Sequence, residues 1–415
     1  MRFEDFRLLS IFFSTMLINQ IYTIIAPFYP LVAEKKGIAQ WVVGLIFTVM
    51  PLSGCLVASH IGKNLSYLGR RNTYTGGMLL GGISLAILAF IPEVTNATFI
   101  LMSIISRILG GIGMISVYIA GFAIISSDYG DKRERNISIL EAFAGLGLIV
   151  GLSSGTLCYA LLGFTGIFLF SSTLFFMFTP FLWYTLSEST ESQEVKVNTA
   201  CWSLLKNKNI LLDVLVGLYS STAYNFFDPS LGPYMISLGF TEQDVGYIFI
   251  IETLAYAGGS FGLVFLLSRA NKFYLMILSM VMIMLGEIVL GLIGGFMDTV
   301  PLWIPVLGIC LASLGASIGF VTPLPSMLNE ADMLPHKDMD INPDALSALF
   351  TMEVTMGEII GPMMAGILVQ FIGFELSSTS IAIIGAILIV IYGTMRRAKY
   401  LLISSEEDLK HPLLI

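Results

Sequence analysis

The stretch NFFDPSLGP, residues 225–233, puts a carboxylate, Asp228, where charge is costly. Between Ile210 and Ile236 the only other charge is Asp213, near the start of the segment. Six acids fall deep within apolar stretches: Glu141, Asp228, Glu252, Glu287, Glu353 and Glu358. Arg107 is the only base found at comparable depth. An ionised side chain near a bilayer centre costs roughly 2.5–3.5 kcal/mol even on the gentle insertion scale. One base cannot pair six acids, so several must take up protons, face water or bind cations. Removal from water favours the neutral form of a carboxyl, which brings its proton exchange toward the working pH range. An excess of embedded acids suits proton-coupled handling of cations, whereas an anion carrier would need embedded Arg or Lys.

Asn19, Tyr22 and Tyr224 lie at similar depth and offer hydrogen bonds and a π-face to a protonated amine. Glu353 and Glu358 are five positions apart, some 140° round a helix, so both cannot point straight into one cavity. Other chemistry is missing. The four cysteines (Cys55, Cys158, Cys201, Cys310) form no metal or disulfide pattern, and His60, His336 and His411 are scattered. No nucleophile elbow, P-loop or HExxH is present, so neither an enzyme, a metal site nor a cofactor is expected.

The elements that must hold these residues follow from composition. The chain is 56% hydrophobic and 12% charged, with 40 glycines and a mean hydropathy of +0.85. Soluble domains carry about 25% charged residues. Twelve apolar stretches are each long enough to cross a bilayer as a helix of about 20 residues. They centre near Ile18, Val49, Ser84, Gly110, Ile149, Phe175, Tyr219, Tyr256, Met284, Ala312, Glu358 and Ala386. The fold class is therefore an all-α membrane protein of twelve transmembrane helices. The polar break 187–209 reads as a linker between six-helix halves, 1–186 and 210–397, followed by a tail, 398–415. The first apolar run has no cleavage site and reads as a span. Placing both termini in the cytosol puts every Lys and Arg on that side except Lys35, Lys36 and the embedded Arg107. That asymmetry follows the positive-inside rule. Of the net charge of −8, the loop Glu330–Asp344 carries −4 and the tail 398–415 carries −1, while the linker is neutral; linker and loop are expected to be solvated. No nucleic-acid partner is implied.

The two halves repeat. At an offset of 202, Tyr22 pairs with Tyr224, Pro27 with Pro229, Gly37 with Gly239, Val43-Gly44 with Val245-Gly246, and Ile46-Phe47 with Ile248-Phe249. At an offset of 210, Gly147 pairs with Gly357, Gly151 with Gly361, and Gly163-Phe164 with Gly373-Phe374. Such internal symmetry marks transporters that rock two bundles around a site between them. APFYP (26–30) and DPSLGP (228–233) are expected to interrupt the first span of each half, so that freed backbone groups line a cavity.

These motifs resemble the major facilitator superfamily over nearly the whole chain. GKNLSYLGRR (62–71) is similar to the family's loop motif at Gly62, Gly69, Arg70 and Arg71, with Ser66 where an acid is usual. RILGGIG (107–113) fits the fourth-span pattern at Arg107, Gly111 and Gly113. GLIVGLSSGT (147–156) resembles the fifth-span antiporter motif, with Leu152 in place of its proline. GEIIGPMMAG (357–366) keeps that proline as Pro362. With AEKKG (33–37), LEAFAGLGLIVG (140–151) and DPSLGP, the pattern is most similar to vesicular amine and polyamine transporters. The resemblance assigns Arg107 to proton coupling. Gly147, Gly151, Gly357 and Gly361 recur every four residues, which suits close helix packing.

The resulting reading is a monomeric proton-coupled antiporter that moves amines or polyamines into an acidic organelle. The alternatives are a plasma-membrane carrier of another small metabolite or drug-like cation, and a non-transporting sensor on the same fold. YLLI (400–403) fits a Tyr-x-x-apolar sorting pattern, and EEDLKHPLLI (406–415) resembles an acidic dileucine signal. Sorting adaptors are therefore expected partners of the tail. The sequon Asn96-Ala97-Thr98 hugs the membrane and is expected to be unused.

Overall fold

The computed structural model describes residues 3–129, 133–186, 204–267, 270–296, 300–332 and 343–410. Among them there is no strand. The helices, in chain order, are α1 Phe3–Thr23, α2 Tyr29–Lys35, α3 Gln40–Leu68, α4 Arg70–Ala89, α5 Asn96–Asp128 and α6 Arg133–Thr185. They continue as α7 Lys208–Ser237, α8 Glu242–Leu267, α9 Lys272–Phe296, α10 Trp303–Val321, α11 Pro323–Asp332 and α12 Pro343–Lys410. Helices α6 and α12 each bend at one glycine, Gly163 (φ 64) and Gly373 (φ 78), and so hold two spans apiece. The short α2 and α11 extend the first and tenth spans. Twelve spans result, in two pseudo-symmetric sets of six.

The backbone repeats where the sequence does. Gly37 and Gly239 both have positive φ, 69° and 93°, and each ends the turn that leads into the next span. Gly163 and Gly373 form the second such pair. Residues with a Cβ rarely adopt this region, so glycine at both members of each pair fixes equivalent bends in both halves.

The two proline clusters behave differently. Residues 24–28 leave the helix between α1 and α2. Pro27 has no N–H for the Thr23 carbonyl, which accepts instead from the Ala26 N–H at 3.1 Å. The expected interruption at 228–233 does not occur, because α7 runs through both Pro229 and Pro233. Proline's fixed φ is compatible with a helix, so α7 continues, at the cost of two main-chain hydrogen bonds and the crowding of each ring against the carbonyl four residues back. Pro233 cannot donate to the Pro229 carbonyl. That carbonyl is taken by the Gln40 Nε2, which donates to it at 2.6 Å.

The chain forms two compact units that do not follow sequence order. Unit one comprises Met1–Val197, Phe226–Leu254 and Glu358–Phe371, and unit two comprises Asn198–Asn225, Ala255–Gly357 and Ile372–Ile415. Within unit one, small residues let backbones approach closely. A Cβ on Gly147 would lie 2.8 Å from Asn19 Cβ, one on Gly151 2.8 Å from the Gln20 carbonyl, and one on Gly113 2.7 Å from the Gly77 carbonyl. Gly111 likewise abuts the Met50 carbonyl. In unit two, a Cβ on Gly357 would lie 2.9 Å from the Thr222 nitrogen. Gly69 (φ 79) separates α3 from α4. The next two residues anchor that turn, Arg70 donating to Ser127 Oγ at 2.5 Å and Arg71 stacking 4.2 Å over the Trp183 ring.

Candidate functional site

Three of the predicted acids come together in unit one. Helix α7 supplies Asp228, α8 supplies Glu252 and α12 supplies Glu358. Asp228 is 8% exposed and Glu252 2%, while Glu358 is partly buried. Asp228 lies within Coulombic reach of Glu358, and Glu252 within reach of Asp228. Among the described residues no basic side chain pairs with any of the three. Like charges this close, removed from water, cannot all stay ionised without a cation or proton to offset them.

Unit two holds an aromatic group on α7, α8 and α10. Tyr224 is four positions from Asp228 on α7, and Tyr256 four positions from Glu252 on α8. Their rings lie 5.0 Å apart, and Phe320 of α10 meets the Tyr256 ring edge-on at 5.6 Å. The sequence reading singled out Tyr224 but missed Tyr256 and Phe320. Their only sequence signal is the four-residue spacing of Tyr256 from an embedded acid.

Other predicted residues occupy the first six spans. Arg107 is 1% exposed, and its Nη1 donates to the Ile21 carbonyl at 3.2 Å. No carboxylate pairs with it among the described residues, and its Nε and Nη2 have no hydrogen-bond partner. Asn19 donates to the Thr15 carbonyl at 2.8 Å and accepts from the Tyr118 hydroxyl at 3.0 Å, so its amide is already engaged. Tyr22 is half-buried on α1. Glu141 lies on α6, and its side chain falls outside the described residues. The tail signals at 400–403 and 406–415 also fall outside the described side chains.

Two expectations need correction. Glu330 is not a solvated loop residue but part of α11, 4% exposed. Arg107 is not the only buried base, because Arg70 and Arg396 are each 6% exposed. Arg396, like its partners, belongs to unit two. There it pairs with the buried Asp213 and, at 3.0 Å, with Glu330. Tyr392 donates to Asp213 at 3.0 Å, and Asn209 donates to Glu330 at 2.8 Å. Sequence reasoning missed this network because each partner sits near a span end, where single charges are ordinary. Glu353 and Glu287 also belong to unit two. Ser378 donates at 2.5 Å to one Glu287 carboxylate oxygen.

At the basic-poor ends of the spans, unit one is held by a polar clasp. Lys35 pairs with Glu242, and the Tyr159 hydroxyl donates to the other Glu242 oxygen at 2.6 Å. The Gln40 main-chain N–H donates to Gln370 Oε1 at 2.8 Å, while its side chain holds the Pro229 carbonyl. Lys36 donates to the Val94 carbonyl at 2.8 Å, and Asn96 returns a bond to the Lys36 carbonyl at 2.9 Å. Thr241 caps α8, accepting from the Asp244 N–H at 3.2 Å, while its own N–H donates to the Asp244 carboxylate at 2.9 Å. That box fixes the first turn of α8 and with it Glu242. Burial favours the neutral form of Glu242, but the Lys35 and Tyr159 hydrogen bonds and the Lys35 charge outweigh it. They hold the carboxyl below its ordinary value of 4.5.

The chain is 28% identical over 363 residues to the mouse MFS-type transporter SLC18B1, covering 85% of this chain and 78% of that one. It is 27% identical over 340 residues to the rat chromaffin granule amine transporter, covering 80% of this chain and 61% of that one. Its backbone superposes on the crystal structure of the nucleoside transporter NupG with a TM-score of 0.71 at 14% identity, across 94% of this chain and 98% of that one. The Major Facilitator Superfamily profile matches residues 11–337. By that match across most of its length, this multi-pass membrane protein belongs to the Major Facilitator Superfamily.

Proposed function

We propose that the protein is a secondary active transporter that exchanges protons for organic cations, amines or polyamines, by alternating access across the membrane of an acidic organelle. The observation that carries the reading is the group Asp228, Glu252 and Glu358, two buried and one partly buried, with no basic partner among the described residues. A protonated amine or a proton can neutralise such a group, and competition between the two ties the exit of one to the entry of the other. Tyr224 and Tyr256 offer π-faces of the kind that receive an ammonium. Tyr22 and Asn19 line the equivalent part of the first span. Arg107, with two donors free, is assigned to proton coupling, and Glu141 to the same path from α6. Kinship with proteins named as amine transporters supports the cationic cargo.

The halves 1–186 and 210–397 rock against each other, and the basic-rich side, with both termini, faces the cytosol. In the form described here, the clasp of Lys35, Gln40, Tyr159, Glu242 and Gln370 holds the luminal ends of unit one together. The carrier works as a monomer, and the tail carries adaptor signals. Purified protein in liposomes with an acidic interior should accumulate radiolabelled spermidine or a monoamine, and collapse of the pH gradient should release it. Gradient-independent uptake, or accumulation of sugars or organic anions instead, would overturn the reading.

A further inference from the structure

Unit two contains a second group of buried acids that exchange at Asp228 does not use. Glu353 is 3% exposed, and neither of its oxygens has a hydrogen-bond partner. Its carboxyl lies against Gly217 of α7, where a Cβ would fall 2.6 Å from Glu353 Cδ. Helix α7 therefore lacks a side chain at the place this carboxyl occupies. One turn earlier on α7 stands Asp213, whose charge reaches Glu353. Asp213 is fully buried and is held by Arg396 and by the Tyr392 hydroxyl. Arg396 also donates to Glu330 at 3.0 Å and to Ser326 Oγ at 3.2 Å.

Two carboxyls, Asp213 and Glu330, thus share the Arg396 guanidinium, and Glu353 stands near Asp213 without a bond to it. With neither of its oxygens hydrogen-bonded, an ionised Glu353 would place an uncompensated negative charge away from water. Such a charge is very costly unless it is neutralised. Glu287 does not relieve this, since it carries the same sign and is bonded to Ser378. Tyr219 is engaged with the Ile381 carbonyl. A hard cation would need a shell of about six oxygens. No group of three acid, His or Cys side chains among the described residues could hold a metal ion. A proton needs one oxygen only.

We propose that Glu353 is a second proton-binding carboxyl, seated on Gly217, whose charge is sensed by the Asp213–Arg396–Glu330 bridge. With the proton bound, the bridge joins the start of α7, the helix α11 and the end of α12. With the proton lost, the new charge repels Asp213 and competes for Arg396. Proton binding here does not depend on the function proposed above; only its use in transport does.

Infrared difference spectra of the full-length protein in lipid, recorded across a pH titration, read protonated carboxyls directly. E353Q should lose one titrating carboxyl band that D228N retains. D213N should keep that band but move its midpoint to lower pH, because a neighbouring like charge is gone. G217A, which sets a methyl against the carboxyl, should also displace the midpoint and guards against an uninformative E353Q. An E353Q spectrum with every wild-type band, or a band indifferent to both D213N and G217A, would overturn the proposal. In liposomes, E353Q should release one proton fewer per amine. An unchanged ratio would remove its role in transport even if the band is lost. Failure of the wild type to move amines would fall on the proposed function and leave the spectral test standing.

Discussion

Glu242 shows what a single residue contributes at the basic-poor face. Its carboxyl is held below 4.5, so the stabilisation from the Lys35 pair is fully present above that ordinary value. It is lost only as pH falls through the lower, folded value. Mild acidity would therefore leave this contact intact. Lys35 is 66% exposed, so screening limits the pair to about 0.2–1 kcal/mol. Hydrogen–deuterium exchange of the segment 35–42, corrected for intrinsic rates, tests both points. Protection should stay level between about pH 5.5 and about pH 7.5, and K35A should raise exchange there by roughly 1.4- to 5-fold, the factor those energies imply. Protection that decays as pH falls across that window would contradict the assignment.

Among the elements, the close approach of α3 to α12 in unit one matters most. A Cβ on Gly44 would collide with the Pro362 carbonyl and lie 2.8 Å from the Gly366 Cα. Thr48, one turn on, donates to the Ile359 carbonyl at 3.1 Å. G44A should therefore force the helices apart at a cost of about 1–3 kcal/mol. Faster exchange should follow at Gln40–Thr48, and a lower melting temperature in detergent; unchanged exchange and melting would show that the contact is loose. P233A should act on the same face by another route. It restores an N–H to the Pro229 carbonyl, which should release Gln40 and raise its exchange without lowering thermal stability.

These elements also mark how far the sequence was legible. The spans, the internal repeat and the paired glycine bends rest on local composition and backbone preference, which any stretch of chain carries within itself. The grouping of Asp228 with Glu252 and Glu358 was only half legible: depth could be read, proximity could not. The bridge of Arg396 to Glu330 and Asp213 joins residues 66 and 183 positions apart. No periodicity reports such a pairing. The two prolines of α7 misled for a related reason. Their effect is decided by a partner, Gln40, that lies 189 positions away and accommodates the free carbonyl without breaking the helix.

The whole molecule combines a group of embedded acids with a set of membrane spans. If Tyr400–Ile403 directs sorting, Y400A should move the protein from internal membranes to the cell surface while uptake per molecule stays unchanged. An unaltered distribution by microscopy would remove the localisation argument drawn from Tyr400 and leave transport untouched. The central claim, that buried acids exchange protons for a cationic amine, is tested most directly by Asp228→Asn in liposomes with an acidic interior. The substitution keeps the shape of the side chain and removes its charge, so folding and insertion should be retained, as size-exclusion profiles can verify. Wild type should concentrate spermidine or a monoamine against its gradient, whereas D228N should reach no more than equilibration. Accumulation by D228N equal to that of wild type would contradict the account.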